Sequence, residues 1–541
     1  MNHNAQDTQP EPNDIASRLQ KANTQVSQIC QASGVPGASI AIIHKGKLLH
    51  TYNHGYSDLE NQIKTDSNTA YGIGSLTKAF IAAAIAKLVH AGHLTWHTPI
   101  KDLLPELNQD DSIITNLLTV TDILSHRCGL AGGAAMSFVF QGDGDMLLPK
   151  ESLFTLFNHF PQLFPFRGGW SYFVWGYALA GLVIDRVTGK GLAQALRELV
   201  LSPLGMTSTG FDVDSLEGVA EPYAGLADGT AFHLSKRQVF RDTFFEASGG
   251  LFSSVKDLTT WAGAILDCIS RPDESVLKDV PYILSNHAAI MNPSLNERSY
   301  GLGWIRTQLP GRVGLIGDNM DVWTLSEQPL LGDEHHPMQM IYHQGSTVGY
   351  YSHMALFPAT ESAVIVLTNS IALSDAADWI SRTFTQALFD IDSNDYVKLA
   401  MEASKRYISL FENMATEIEN MRDGKTPRLD TFAGRYVHSS QLFVVDLAVC
   451  DSRNKLALRF QGRDSQEYEL RYLCEGVFEW VLGHDESKRR GRYNSVEMGC
   501  YLFRFRVDGG RVVSFTWAAD GLRSDVFLKV GGLEDAAVAV R

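Results

Sequence analysis

Residues 76–89, LTKAFIAAAIAKLV, form an almost uncharged run whose only charged side chains are Lys78 and Lys87. The pattern is typical of a helix that is apolar nearly all round, and such a helix must be buried in the centre of a domain. The rest of that domain has to enclose it. With 541 residues, the chain is long enough for at least two domains.

Ser75 and Lys78 stand at the start of this predicted helix, three residues apart, and so share one face of its first turn. The positive end of the helix dipole and the loss of solvation both disfavour a charged ammonium there, which predicts a lowered pKa for Lys78. A neutral lysine could accept the proton of Ser75, and N–H groups at the helix start could stabilise an oxyanion. Alternatively, Ser75 only caps the helix and Lys78 extends to water. The local sequence leaves both interpretations open.

The Ser-x-x-Lys spacing is not specific by itself, because it occurs four times in the chain. The copy at Ser452 falls in a polar turn, and the copy at Ser275 follows a loop. Ser253 stands near a predicted helix start, where a capping role is expected. Only Ser75 precedes a helix that should be buried.

The distribution of strands and helices predicts an α/β domain. Residues 38–53 indicate two strands, and the runs at 353–358 and 363–369 indicate two more. Helical patterns dominate from Ser75 to about residue 270, so an antiparallel sheet closed by both ends of the domain is expected. The Gly/Pro/Asp-rich segment 306–340 is predicted to be a long surface loop near the site.

The pattern changes after residue 424. Short β-rich runs, from LFVVDLAV to DVFLKV, follow at fairly regular spacing and predict a small all-β barrel or sandwich. Cutting near Gly424 is expected to release two folded pieces. The predicted segments are a disordered or helical tail at 1–24, a catalytic domain at 25–395, a helical linker at 396–428, a β domain at 429–533 and a tail at 534–541.

Composition argues against several classes of partner. The chain has 46 Lys and Arg against 61 Asp and Glu, a net charge of −15, which disfavours nucleic acid and anionic membranes. No apolar run has transmembrane length and the N-terminus lacks signal-peptide features, so a cytoplasmic protein is expected. Six scattered cysteines are interpreted as free thiols. The basic triplet 488–490 is predicted to lie in a solvated loop.

Two further segments complete a pattern with GSLTK. Residues 170–181 read WSYFVWGYALAG and residues 341–350 read IYHQGSTVGY. In this order the three segments resemble the Ser-x-x-Lys, Tyr-x-Asn and Lys/His-x-Gly motifs of the serine β-lactamase and penicillin-binding-protein superfamily, in particular its class C branch. The resemblance covers about residues 25–390. It implies an antiparallel sheet flanked by helices, with an all-helical subdomain. The C-terminal domain resembles the lipocalin-like domain of some esterase and peptidase members, which often covers the cleft.

The resemblance also implies catalytic roles. Ser75 would be the acylated nucleophile, Lys78 its base, and Tyr172 a phenolate or a proton relay that activates Ser75 or the deacylating acceptor. His343 would take the cationic position of the third motif. The alternatives are that Tyr172 is one more aromatic residue at a helix start and that His343 is a packed strand side chain.

Three positions would contact the substrate: Gly345, Ser346 and Val174. The resemblance implies an oxyanion hole made by the backbone N–H groups of Ser75 and of Ser346, just after Gly345. Val174 replaces the asparagine of the second motif and cannot hydrogen-bond a lysine or a substrate amide. Together with His343 in place of a permanently charged lysine, this argues against antibiotic hydrolysis. It favours the esterase and acyltransferase relatives, such as the fungal statin acyltransferase.

We therefore expect a serine hydrolase or acyltransferase that acts on an ester, thioester or amide of a hydrophobic small molecule, as in secondary metabolism. A carrier-protein or CoA thioester is one candidate donor. Two alternatives remain, a catalytically silent scaffold or ligand-binding protein, and a β-lactamase or D-amino-acid peptidase. No cofactor and no metal are expected, because the acidic and histidine-rich run 333–336 has no spaced partner and is predicted to be solvated.

Overall fold

The computed structural model describes residues 14–235, 237–290, 296–391, 394–425, 427–450 and 455–531. Most of the predicted N-terminal tail, the Ser452 turn and the predicted tail at 534–541 lie outside these residues. The last eleven residues of the predicted 1–24 tail begin with Asp14, and from Ile15 onward they belong to a helix.

The strands of the first part of the chain are, in order, β1 (Gly37–His44), β2 (Lys47–Asp58), β3 (Ile63–Lys64), β4 (Ala70–Gly72), β5 (Tyr223–Gly225), β6 (Ala231–His233), β7 (Phe252–Ser254), β8 (Ala288–Ala289), β9 (Arg298–Tyr300), β10 (Ile305–Leu309), β11 (Gly311–Arg312), β12 (Leu330–Leu331), β13 (Met338–Thr347), β14 (Tyr350–Phe357), β15 (Ser362–Thr368) and β16 (Ser370–Ile371).

The helices are α1 (Ile15–Ser33), α2 (Thr77–His90), α3 (Ile100–Leu103), α4 (Ser112–Leu117), α5 (Val120–Leu124), α6 (Gly133–Val139), α7 (Leu153–Asn158), α8 (Val174–Thr188), α9 (Leu192–Leu196), α10 (Ser202–Leu204), α11 (Glu246–Gly249), α12 (Val255–Ser270), α13 (Val280–Ile283), α14 (Ala376–Phe389), α15 (Tyr396–Asn420) and α16 (His484–Arg489).

Nine strands form the main sheet, in the order β3-β2-β1-β15-β14-β13-β10-β9-β8. Its neighbours are antiparallel, and β1 pairs with β15, so the two ends of the domain meet in the sheet. Residues of β1 alternate between two cores. Ile40 and Ile42 pack with α1 and α14, whereas Ala41 and Ile43 pack with α2 and α12. The predicted α/β fold is confirmed.

Helix α2 is the central helix of the second core. Every residue from Thr77 to Ala86 is buried, whereas Lys87, near the end, reaches the carbonyl oxygen of Val276 at 2.7 Å. The prediction of a buried helix at residues 76–89 is therefore correct. The mostly helical segment between β4 and β7 packs around α2 and α8 and forms the helical subdomain.

The C-terminal region is a closed barrel of eight strands, each hydrogen-bonded to the next and the last to the first. Stacked rings fill the interior: Phe503 lies 4.4 Å from Phe515, and Phe515 lies 4.8 Å from Phe527. An eight-stranded barrel is narrow enough for side chains to occupy its lumen. The strands are β17 (Gly434–His438), β18 (Val444–Cys450), β19 (Lys455–Phe460), β20 (Glu467–Cys474), β21 (Val477–Glu479), β22 (Leu502–Asp508), β23 (Arg511–Trp517) and β24 (Asp525–Lys529).

The barrel docks on the α/β domain through α6. Phe138 of this helix packs 4.8 Å from Phe443, 5.1 Å from Trp517 and 5.5 Å from Phe527, all rings of the barrel region. Arg490 adds an ion pair with Asp143 at 2.7 Å. That the two regions fold independently remains a prediction.

Three predictions made from the sequence need correction. Lys488 does not lie in a solvated loop; it belongs to α16 and is 2% exposed, because the helix is pressed against the α/β domain. Ser253 does not cap α12, since it is buried in β7 and hydrogen-bonds Thr209, while Ser254 is the cap. Segment 306–340 is not one loop, because β10 pairs with β13 in the main sheet.

Candidate active site

Ser75 lies in a short 3-10 turn, Gly74–Leu76, directly before α2. Gly74 has φ +48°, and a Cβ there would lie 2.6 Å from the backbone nitrogen of Ser346. A Cβ at Gly345 would lie 3.0 Å from the backbone nitrogen of Ser75. The two glycines therefore let the turn and β13 approach closely. Ser75 and Ser346 both line one pocket, so their amide groups are candidates for an oxyanion hole.

Lys78 is fully buried and contacts the serine directly. Its Nζ lies 2.8 Å from Ser75 Oγ and donates a hydrogen bond to the carbonyl oxygen of Ser248 at 2.7 Å. Burial lowers the pKa of Lys78 well below that of an exposed lysine, and no described carboxylate forms an ion pair with it. A neutral Lys78 has a lone pair that can accept the proton of Ser75. The alternative of a capping serine and a lysine extending to water is wrong, because Ser75 makes no cap hydrogen bond.

Tyr172 completes the hydrogen bonding around the serine. Its hydroxyl donates to Ser75 Oγ at 2.9 Å. Burial raises the pKa of Tyr172 above that of a free tyrosine, which keeps the phenol neutral and favours a proton relay over a phenolate. The ring packs 4.5 Å from that of His126, whose Nδ1 accepts a hydrogen bond from the backbone N–H of Phe173 at 3.0 Å. His126 thus fixes the backbone beside Tyr172.

His343 occupies the third motif but lies behind the pocket wall. It is fully buried, its Nε2 is 2.9 Å from the hydroxyl of Tyr300, and its ring is 6.2 Å from that of Tyr172. Burial is the largest cause of the low pKa of His343, which is about 3. The residue is therefore neutral at pH 7, and the cation expected at this position is not present.

The pocket itself has a volume of about 420 Å³, and Ser75 opens into it. Val174, the first residue of α8, lies on its wall beside Phe173 and Trp175, as the motif position implies. Gln344 and Ser346 of β13 form another part of the wall. The barrel region supplies a further side, formed by Trp480, Arg492, Tyr493, Ser495, Tyr501 and Trp517.

Tyr493 of the barrel region and Ser346 of the third motif lie on the wall of the same pocket. The barrel therefore covers the cleft. The implied covering domain is found at the place where the resemblance puts it.

An acidic region borders the pocket on the side of the 306–340 segment. Asp318 and Asp375 lie on the wall, and burial raises the pKa of both carboxyl groups. Asp318 also borders a second cavity of about 220 Å³, together with Asp321 and Lys488. Burial lowers the pKa of Lys488 to about 8, while the charges of Asp318 and Asp321 oppose that decrease.

Several residues around Ser75 and on the pocket wall were not predicted from the sequence. The Ser248 carbonyl and His126 lie in phrases that supported the resemblance, ASGG and LSHR, so a signal for them existed. Trp480, Arg492 and Tyr493 had none, because their place at the pocket depends on how the barrel docks.

Within the described residues, no group of three or more His, Cys, Asp or Glu side chains is arranged to hold a metal ion. In the same part of the chain, no helix is long and apolar enough to cross a membrane.

Comparison with known proteins places this site in a family. The family model described as Beta-lactamase matches residues 21–385. An unguisins hydrolase from Aspergillus campestris is 26% identical over 371 residues, covering 65% of this chain and 62% of the relative. The Protein flp of Staphylococcus aureus strain COL is 23% identical over 354 residues, covering 65% and 63%. The match thus spans about three fifths of the length of these relatives.

A solved structure also matches nearly the whole chain. The octameric penicillin-binding protein homologue from Pyrococcus abyssi aligns with a TM-score of 0.54 and 20% identity, covering 95% of this chain and all of that one. At this identity the likeness concerns the fold alone.

Proposed function

The chain belongs to the β-lactamase family, and on that basis we propose that it is a serine hydrolase acting through an acyl-Ser75 intermediate. One observation carries the proposal: Ser75 Oγ lies 2.8 Å from the Nζ of a fully buried lysine and 2.9 Å from a tyrosine hydroxyl. A capped helix start requires neither contact, whereas a serine nucleophile requires a base within hydrogen-bond reach.

The proposed reaction uses each group in turn. Ser75 Oγ attacks the carbonyl carbon of the substrate and its proton passes to the neutral Nζ of Lys78. The amide groups of Ser75 and Ser346 stabilise the negative oxygen that forms. As the carbonyl re-forms, the bond to the leaving group breaks, and the leaving group takes up the proton that Lys78 accepted, relayed by the hydroxyl of Tyr172. Water then attacks the acyl-serine by the same steps in reverse.

Hydrolysis is favoured over acyl transfer because similar proteins from two Aspergillus species are named unguisins hydrolases. Acyl transfer to another hydroxyl or amine, with a CoA or carrier-protein thioester as donor, remains the second form of the same chemistry. We propose a cytoplasmic location.

The pocket wall supports a hydrophobic ester, thioester or amide as the substrate, of the kind made in secondary metabolism. Phe173, Val174 and Trp175 present apolar surface next to Ser75. Val174 offers no hydrogen bond to an amide side chain. A neutral His343 offers no charge to the carboxylate of a penicillin. We therefore expect nitrocefin to be hydrolysed more slowly than short p-nitrophenyl esters.

The test compares wild type with Ser75→Ala and with Ser275→Ala, a control at a second Ser-x-x-Lys sequence remote from the pocket. A fluorophosphonate probe and p-nitrophenyl butyrate report labelling and turnover. We expect Ser75→Ala to lose the label and at least about a thousandfold in kcat, while Ser275→Ala behaves as wild type. Labelling that persists in Ser75→Ala, or a wild type that neither labels nor turns over esters, contradicts the proposal.

A further inference from the structure

Arg492 brings a guanidinium from the barrel region to the wall of the Ser75 pocket. Its two observed side-chain partners are uncharged: Nη1 donates to the hydroxyl of Tyr468 at 2.9 Å, and Nη2 donates to Oε1 of Gln141 at 2.9 Å. Among the residues that the structure describes, no carboxylate forms an ion pair with it. By contrast, Arg490, two residues earlier, is paired with Asp143 at 2.7 Å.

Two neighbouring residues, Gly142 and Trp480, fix the position of the Arg492 side chain. Gly142 has φ +115°, and a Cβ there would lie 2.7 Å from Cγ of Arg492, so only glycine leaves room for the side chain. The guanidinium carbon lies 4.9 Å from the ring centre of Trp480, which holds the group against an aromatic face. A guanidinium has five N–H donors, and the two hydrogen bonds leave others for a ligand.

Trp480, on the same wall, provides a second and independent observation that indicates a ligand site. This residue is 2% exposed and lines the pocket, yet its indole N–H finds no acceptor in the described part of the chain. A buried N–H without a partner costs free energy, and such groups normally bind something. A ligand oxygen at this wall would satisfy it.

The other basic groups near Ser75 are unsuited to binding an anion. Burial disfavours the charged form of Lys78 and lowers its pKa, and His343 has a pKa of about 3 and lies behind the wall. Arg492 therefore carries the permanent positive charge of the pocket. The acidic wall already has donors, since Asp375 accepts from Gln344 at 3.0 Å and Asp318 accepts from Tyr351.

We propose that Arg492 and the indole N–H of Trp480 form an anion subsite, and that the preferred substrate carries a carboxylate remote from the bond that is cleaved. This inference rests on the proposed serine hydrolase function and narrows its substrate class to hydrophobic esters or amides with an anionic end. The carboxylate would accept a charge-assisted pair of hydrogen bonds from the guanidinium, the geometry for which arginine is best suited.

The kinetic test uses two pairs of aryl esters that differ in one charge. In the first pair the acyl chain ends in a carboxylate or its methyl ester, as in 4-nitrophenyl adipate. In the second pair the leaving group carries the carboxylate, as 3-carboxy-4-nitrophenyl butyrate against 4-nitrophenyl butyrate. Wild type should have a higher kcat/KM for the charged member of at least one pair. If the difference appears in the first pair, the acyl chain faces the barrel; if it appears in the second, the leaving group does.

Variants of the subsite then report on that preference. Arg492→Gln should lower the ratio of kcat/KM for the charged ester to that for the neutral ester by about 10- to 100-fold. Arg492→Lys should retain part of the ratio, and Trp480→Phe should lower it by a few fold. Arg489→Gln is the matched control, because this exposed arginine stacks 4.5 Å from Phe232 outside the pocket. It should leave the ratio unchanged.

Binding is measured separately, so that this inference and the proposed function can fail independently. Calorimetry with 4-phenylbutyrate and 4-phenylbutyramide should give tighter binding of the carboxylate by wild type and a loss of that difference in Arg492→Gln, whose melting temperature is checked alongside. Absent ester turnover with intact carboxylate selectivity contradicts only the hydrolase proposal. The subsite is overturned if the carboxylate is not preferred, if Arg492→Gln keeps the preference, or if an ammonium-bearing ester is the best substrate.

Discussion

Two lysines are buried to the same degree in this molecule, and their surroundings are opposite. Lys78 is 0% exposed and Lys488 is 2% exposed. Lys78 faces a serine hydroxyl and a backbone carbonyl, with no carboxylate partner among the described residues. Lys488 faces Asp318 and Asp321 across the cavity between the barrel and the 306–340 segment.

The difference teaches that burial alone does not make a lysine a base. Burial lowers the pKa of both side chains, but the two aspartates hold that of Lys488 at about 8, so it is mostly charged at pH 7. Lys78 lacks such neighbours, and burial lowers its pKa well below that of an exposed lysine. The same residue type is thus the proposed proton acceptor in one place and an electrostatic contact between domains in the other.

The largest effect is expected from removing the base. Lys78→Met should lower kcat/KM for p-nitrophenyl butyrate by about a thousandfold, because Ser75 loses the group that accepts its proton. The melting temperature at pH 7 should not fall, since a lysine whose pKa is lower in the folded than in the unfolded state lowers stability below its unfolded pKa. Equal losses of activity in Lys78→Met and Lys488→Met would remove the distinction between the two lysines.

The next largest effect is on the pH profile. Protonated Lys78 has no lone pair, so activity should be lost as the pH falls through its pKa, about tenfold per pH unit. The rising limb of kcat/KM should therefore lie well below pH 10.4, the ordinary value for lysine. The same limb should appear in Lys488→Met. A limb that shifts with that substitution would mean that Lys488, and not Lys78, controls the reaction.

The smallest effect concerns the stability of the domain contact. Lys488→Met should lower the free energy of unfolding at pH 8 by about 1–2 kcal/mol, because Asp318 and Asp321 lose their opposing charge while solvent screens Asp321 in part. The pKa of Asp321 is raised to about 7 by burial and by Asp318. At pH 6 this carboxyl is mostly protonated, so the loss should be smaller.

Urea unfolding at the two pH values measures this change. The double variant Lys488→Met, Asp321→Asn is the control, and it should recover part of the stability lost at pH 8. A loss that is the same at pH 6 and pH 8 would show that packing, and not charge, holds Lys488 in place.

The sequence predicted those features that depend on neighbouring residues or on the order of motifs along the chain. The uncharged run of α2 required burial, and the spacing of Ser75 and Lys78 put both at one helix start. The order of the three motifs indicated the fold, the family and the position of Tyr172. These features depend on helix geometry and on residues that stand next to one another.

What the sequence did not predict depends on contacts between distant segments. Arg492 bonds Gln141, 351 residues away, and no local pattern reports that pairing. The basic triplet at 488–490 has the composition of a solvated loop, and only the docked barrel buries Lys488. The third motif located His343 on β13 but did not reveal that Tyr300 and burial would keep it neutral.

Helix α6 connects the wall of the Ser75 pocket to the barrel. Met136 and Ser137 of this helix line the pocket. Phe138, the next residue, packs among the rings of the barrel. A change in the barrel rings that contact Phe138 would therefore act on the pocket wall through this helix, without altering Ser75 itself. Losing the barrel would remove both Arg492 and the rings that pack against α6 in one step.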